Sequence, residues 1–254
     1  MNRQIDSNSA MFKKYIDDSV IVSNYKINQE FQIIPETESI KIVVISDTHF
    51  GNKNENLEYL DKVRDYIEKN DIKYLLHVGD LIEGLADPNY SIEKQIDFIL
   101  NDYFVNKGII NIVLLGNHDA SLLMSGIYDL EKVLEETNAT ILGYKCAYLK
   151  ICNRYIKLRH QINRMINNLN DYKSMISFYG HSHIYKFRKK ENGASIIKLP
   201  TLSDDCPQGH APINSGFVIL ELFINDDQIY SYTVEVIDFN RRNTLKREMS
   251  LSLR

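Results

Sequence analysis

Residues 42–51 read IVVISDTHFG, a run of four β-branched residues, Ile42 to Ile45, that stops at Asp47 and His49. An unbroken β-branched run is the pattern of a strand buried on both faces, as in the parallel sheet of an α/β protein. Polar residues at its C-terminal end then stand at the sheet edge, where open α/β sheets place their sites. Residues two apart on a strand point to one side, so Asp47 and His49 can face a common cation.

The same ending recurs down the chain. The strand expected at 73–78 runs into Gly79 and Asp80, and the strand at 110–115 runs into Gly116, Asn117, His118 and Asp119. The strand at 154–159 meets His160, and the strand at 175–179 meets Gly180, His181, Ser182 and His183. Five of the seven histidines therefore fall at strand ends. A single histidine there is commonly a hydrogen-bonded structural residue. Five are not explained that way. The donor types (carboxylates, imidazoles and one amide, without thiolate) suit divalent Mn, Fe, Zn, Co or Ni. Seven such groups exceed one tetrahedral ion and suit two ions that share a carboxylate. Ions ~3.5–4 Å apart activate a shared water and hold both oxygens of an in-line phosphoryl displacement, which implies phosphoester hydrolysis.

The surrounding pattern alternates strand and helix, with strands at 41–46, 73–78 and 110–115 and helices near 55–69, 91–106 and 127–136. That is the signature of βαβ units with parallel pairing. After Thr137 short strands dominate: a hairpin at 147–151 and 154–158, a polar helix near 162–172, then strands at 175–179, 184–188, 194–199, 217–223 and 230–237, for which antiparallel pairing is expected. The chain thus reads as two sheets with helices outside. Residues 1–39 read as an N-terminal extension packed on the core, with β-like pieces at 20–22 and 31–34, and residues 40–254 as one domain ending in a basic strand or tail.

With 254 residues, a net charge of -4 and 44% hydrophobic residues, the composition is that of a globular protein rather than a disordered or fibrous one, with no global pull toward nucleic acid or anionic membrane. The cysteines Cys146, Cys152 and Cys206 lack metal spacing, and no apolar run approaches the ~18 residues of a membrane span; both point to a cytoplasmic protein.

Together, Asp47-Thr48-His49, Gly79-Asp80, Gly116-Asn117-His118-Asp119, His160 and Gly180-His181-Ser182-His183 resemble the motifs of the calcineurin-like metallophosphoesterases, over residues 40 to 240. The resemblance implies a four-layer α/β/β/α sandwich of two mixed β-sheets with a dinuclear metal centre at the strand ends. It places Asp47, His49, Asp80 and His183 on one ion, and Asp80, Asn117, His160 and His181 on the other. The ions would be manganese foremost, with Fe, Zn, Co or Ni compatible. It makes His118 a general acid or transition-state stabiliser, a role worth ~10²–10⁴-fold, beside a metal-bridging hydroxide, with Asp119 as its orienting partner. Two positions depart from the family pattern. Glu83 stands where Asp or Asn is usual, and His160 precedes Gln161 rather than Gly. His160 is assigned as the one histidine between His118 and His181.

Other residues are read more plainly. His77 lies inside YLLHV and reads as a core or sheet-face histidine. Asp204, Asp205 and His210 lie in the loop 202–214 and are candidates for substrate contact. Phe50 and Tyr90 read as packing aromatics with stacking on a base or leaving group as the alternative, and Lys53 is placed to pair with a phosphate. The expected substrate is a phosphate ester such as a nucleotide, with no membrane partner. Two alternatives stand beside it: a nuclease with the same metal centre, and a non-catalytic protein-binding scaffold that keeps the fold.

Overall fold

The structure of the protein is a computed structural model that describes residues 29–104, 108–160, 174–204, 213–240 and 245–250. The pieces expected at 20–22 and 162–172, and the candidates Asp205, Cys206 and His210, lie outside the described residues.

The strands are β1 (Gln29–Ile33), β2 (Ser39–Ile45), β3 (Tyr74–Val78), β4 (Ile110–Leu115), β5 (Ala139–Tyr144), β6 (Cys146–Ile151), β7 (Arg154–Arg159), β8 (Ser174–Tyr179), β9 (Lys186–Lys189), β10 (Ser195–Lys198), β11 (Gly216–Asn225), β12 (Gln228–Asp238) and β13 (Leu245–Ser250). The helices are α1 (Leu57–Lys69), α2 (Ile92–Phe98, continued by a π-turn at Ile99–Tyr103), α3 (Asn117–Met124) and α4 (Leu130–Leu134). A seven-stranded sheet has the order β13-β12-β11-β2-β3-β4-β5, and a six-stranded sheet has the order β1-β6-β7-β8-β10-β9.

The opening run forms β2 at the middle of the seven-stranded sheet, parallel to β3 and antiparallel to β11. Its alternate residues leave on opposite faces. Ile42 and Val44 enter the core between the sheets with Leu76, Val78, Leu158 and Phe178, while Val43 and Ile45 pack beneath α1. The stripe Tyr59, Leu60, Val63 and Ile67 of α1 has helical spacing and is buried against that face. Beside it, Val113 and Leu115 of β4 pack with Ile96, Ile99, Leu122, Leu130 and Leu134.

Two mixed sheets and flanking helices agree with the expected fold class. Pairing in the second half is antiparallel as expected for β6 with β7, β9 with β10 and β11 with β12, and departs from the expectation at β7 with β8 and β8 with β10, which are parallel; β1 also joins β6 in parallel. The stretch between Arg159 and Ser174 is long enough for the crossover that parallel neighbours require. Two elements escape the sequence pattern, β5 and α3, while the helix expected near 91–106 is present as α2 with a π-helical last turn. The sequence of α3, NHDASLLM, has weak helix propensity in its first turn. Strand β1 brings residues 29–33 into the six-stranded sheet, and β13 is an edge strand on β12. No helix of the described residues is long and apolar enough to cross a membrane.

Candidate metal centre

The loops after β2, β3, β4, β7 and β8 meet at one end of the two sheets. Beyond the ends of β2 and β3 the backbones stay joined: Asp47 N–H donates to Gly79 O at 2.9 Å, His49 N–H to Asp80 O at 3.1 Å and Phe50 N–H to Leu81 O at 3.0 Å. Within this irregular ladder Asp47 (φ 58°), His49 (φ 48°) and Asp80 (φ 56°) take left-handed conformations, and His181 (φ 69°) and His183 (φ 52°) do the same. Each costs an L-residue roughly 1–2 kcal/mol. The buried side chains Ile42, Val43, Val44 and Ile45 contribute roughly 1.5–3 kcal/mol apiece, so β2 alone offsets its strained exit. In exchange, five polar side chains turn away from the sheet plane toward one another.

Glycines allow that convergence. A Cβ on Gly116 would lie 2.1 Å from Asp80 Oδ1, and one on Gly79 would lie 2.3 Å from His160 Nδ1. Gly79 also holds φ 89°, which side chains rarely adopt. The glycine before three of the five polar strand ends, Gly79, Gly116 and Gly180, thus has a steric cause.

The polar atoms form a compact group. His160 Nε2 lies 2.8 Å from Asp80 Oδ2, His183 Nε2 lies 3.3 Å from Asp47 Oδ1, and His49 Nε2 lies 3.2 Å from His183 Nε2 and 3.7 Å from Asp80 Oδ2. The other ring nitrogens decide the tautomers. His49 Nδ1 faces Glu83 Oε2 at 3.1 Å and His160 Nδ1 faces the Val78 carbonyl at 2.7 Å. Both partners only accept, so each Nδ1 carries hydrogen and each Nε2 is the ring atom turned inward, able to offer its lone pair to a cation that displaces its proton. Metal-ligating histidines are held in this way. Both polar atoms of the Asn117 side chain are buried without a hydrogen-bond partner, and Asp80 Oδ2 and His160 Nε2 are buried with only each other in reach. Acceptor atoms gathered in a dry site are costly unless a proton or a metal cation lies between them. Among the described residues, three overlapping sets bring ligand atoms within 4.8 Å of one another: Asp47, His49 and His183; His49, Asp80 and His118; and Asp80, His160 and His181. The donors therefore fit divalent ions, and Asp80 belongs to two of the sets.

Electrostatics within the cluster follow from this crowding. Burial opposes ionisation of Asp47 and Asp80, yet the neighbouring imidazoles hold both carboxyls well below the usual range. Burial likewise opposes charge on His160, but Asp80 beside it raises its pKa to about 9. His181 is lowered to about 4 by burial and by the charge of His160. Both carboxylates of the cluster are thus acceptors near neutral pH.

The orienting partner of His118 is not the expected Asp119. Asp119, at the third position of α3, accepts N–H bonds from Gly116 (2.8 Å), Asp80 (2.9 Å), Leu81 (2.9 Å) and Ile82 (3.2 Å). Its carboxylate pins the Asp80 loop to the start of the helix and does not reach the His118 ring. Glu83 takes that place: His118 Nδ1 donates to Glu83 O at 3.0 Å and lies 3.5 Å from Glu83 Oε2, the atom that also accepts from His49. The one available signal was Glu83 itself, an acidic residue three positions after Asp80.

Other candidates separate from the cluster. Asp204 accepts from Asn56 Nδ2 (2.8 Å) and Tyr59 OH (2.9 Å), which ties it to the start of α1. Phe50 is buried and stacked on Phe98 with 3.7 Å between centroids, Tyr90 lies under Lys94, and Lys53 faces Asp87 across 3.7 Å on the surface. His77 is fully buried and burial lowers its pKa to about 3; its Nε2 bonds Thr48 Oγ1, which in turn bonds Tyr103 OH. That chain braces the middle residue of the Asp47–His49 turn from behind.

Comparison with known proteins places this geometry. The structure of Vacuolar Protein Sorting 29 from Cryptosporidium parvum is similar with a TM-score of 0.54 at 17% identity, covering 85% of this chain and 100% of that one. Vps29 complexed with zinc from Entamoeba histolytica gives 0.50 at 14% identity, covering 83% and 99%. At these identities the likeness concerns the fold. A ribosomal protein uS12 methylthiotransferase RimO from Clostridium botulinum is 24% identical over 150 residues, 56% of this chain, which spans about a third (33%) of that protein's length. Residues 40–200 match the calcineurin-like phosphoesterase superfamily domain, the region that holds every residue of the cluster, and the chain belongs to that superfamily.

Proposed function

We propose that the protein is a divalent-metal-dependent hydrolase of phosphomonoesters or phosphodiesters. One observation carries the reading: His49 and His160 are each fixed through Nδ1 so that Nε2 meets the oxygens of Asp47 and Asp80 in one buried volume. Asp47, His49, Asp80 and His183 would hold one ion, and Asp80, Asn117, His160 and His181 the second. Bound ions would supply Lewis acidity and an activated water.

The chain's own groups do the rest. His118 keeps 17% of its side-chain surface exposed, against 3% or less for His49, His160 and His183, and its Nδ1 is occupied by Glu83 O. Its Nε2 is then the atom that would donate a proton to a departing alkoxide, or stabilise its charge. His118 also stands in the first turn of α3, whose positive end favours a phosphate. What supports catalysis over a partner-binding scaffold is this retained histidine.

The test is hydrolysis of p-nitrophenyl phosphate and its bis-ester with Mn²⁺. Turnover of either ester is expected, Asp80→Asn should lose metal and activity together, and His118→Asn should keep metal while losing rate by ~10²–10⁴-fold. Protein shown to hold two ions that turns over neither ester would overturn the reading.

A further inference from the structure

The chain's net charge of -4 conceals a local excess of the opposite sign. Strand β9 carries Lys186, Arg188 and Lys189, and β10 ends in Lys198. In the β9–β10 ladder Lys186 lies directly opposite Lys198, and Arg188 opposite Ile196. Phe187 and Ile197, between them, turn into the core, so Lys186, Arg188 and Lys198 share the outer face. Like charges directly opposite one another destabilise a sheet. No ion pair relieves them among the described residues, although Glu191 and Glu248 lie on adjoining segments. At the same edge Arg247 of β13 stands over the Phe187 ring at 4.9 Å.

The topology sets this strip against the metal centre. Strand β10 is parallel to β8, which ends at the His181 and His183 loop, so Lys198 sits at the site end of its strand. Strand β9 is antiparallel to β10, so Lys186 begins at that end and Lys189 lies ~10 Å farther away. Three residues beyond Lys198, Thr201 Oγ1 donates to Asp47 O at 2.8 Å. A small phosphomonoester held at the cluster would not reach the distal cations. A ligand with phosphates in series would.

Building on the hydrolase reading, we propose that the β9–β10 edge is a track for the backbone of a nucleic-acid strand that presents one phosphodiester to the metal centre. The track pairs with phosphates, so binding is independent of sequence and dependent on salt.

The test is fluorescence anisotropy of a labelled single-stranded phosphorothioate oligothymidylate with the protein as purified, titrated with salt, for wild type and K186E/R188E/K198E. Lys186 and Arg188 are exposed and Lys198 is half-buried on the outer face, all outside the metal cluster, and the triple variant should still hydrolyse bis-(p-nitrophenyl) phosphate at the wild-type rate. Its oligonucleotide affinity should fall at least tenfold. The slope of log K against log salt should shrink by about 0.7 for each phosphate that is no longer neutralised, so by about 2 for three. Unchanged affinity and slope in the variant, or no binding by wild type, would overturn the track. Binding of phosphatidylserine vesicles in place of the oligonucleotide, abolished in the variant, would overturn it in favour of a membrane surface. An inert bis-ester alongside intact, variant-sensitive oligonucleotide binding would overturn the hydrolase reading and support the track.

Discussion

Replacing Glu83 by glutamine tests the least expected feature of the centre, a single carboxylate oxygen shared by two imidazoles. Glu83 is 2% exposed, with Oε2 at 3.1 Å from His49 Nδ1 and 3.5 Å from His118 Nδ1, and Oε1 accepting from Asp87 N–H at 3.1 Å. Glutamine keeps the shape and can still present an oxygen to His49, so the change removes charge rather than volume. A hydrogen bond to a charged group contributes about 1.5–3 kcal/mol and a neutral one about 0.5–1.5 kcal/mol. The loss at His49 is thus on the order of 1.4 kcal/mol, or tenfold in metal affinity, the lower end of the usual 10–100-fold for groups that orient a ligand. His118 donates to the Glu83 backbone carbonyl, which the change leaves in place, so it loses only the charge contact at 3.5 Å and kcat at saturating metal should fall by a few-fold. Mn²⁺ titration calorimetry reads the first effect, and kcat for the bis-ester at saturating Mn²⁺ reads the second. Wild-type values for both in Glu83→Gln would refute the shared-carboxylate account.

Three further outcomes follow from the same geometry. Asp119→Asn turns an acceptor of four backbone N–H groups into one that presents its own N–H to them, so a loss of about 3 kcal/mol in urea unfolding is expected. An unchanged midpoint would argue that the clamp is dispensable. Gly116→Ala puts a methyl 2.1 Å from Asp80 Oδ1 and should cost about 1–3 kcal/mol while displacing the shared carboxylate, read as loss of Mn²⁺ binding by a protein that still folds. Retained stoichiometry would show that the loop can yield. The third outcome concerns pH. His160 is raised from 6.5 to about 9 in the ion-free protein, so its protonated form adds stability that is fully present below about pH 6.5 and fades as pH rises through about 9. Asp47, Asp80 and Glu83 are lowered, so their contribution is present above the ordinary carboxylate range and is lost as pH falls below it. Ligation needs His160 neutral, so metal binding near pH 7.5 should release a proton. Calorimetry in buffers of different ionisation enthalpy measures that release, and a buffer-independent enthalpy would contradict it.

Several levels of this protein were legible in one dimension. The β-branched run Ile42 to Ile45 has the pattern of a buried strand, and polar strand ends, most of them after glycines, revealed where chemistry gathers. Helix α1 was legible from its stripe. By contrast, α3 was hidden because its first turn is built from residues that favour caps, and Asp119 stabilises it through backbone hydrogen bonds made across the Asp80 loop. Parallel pairing of β7 with β8 was hidden because pairing direction depends on where a long crossover returns.

By itself, then, the sequence determined the strand pattern, the donor types and their family, because side-chain period and ligand chemistry are local properties. Tertiary structure alone decided which nitrogen of His49 and His160 faces inward, that Glu83 rather than Asp119 attends His118, and that Lys186 stands across from Lys198. Most of these depend on a partner tens of residues away, and only packing of the two sheets brings such partners within hydrogen-bond or Coulomb range.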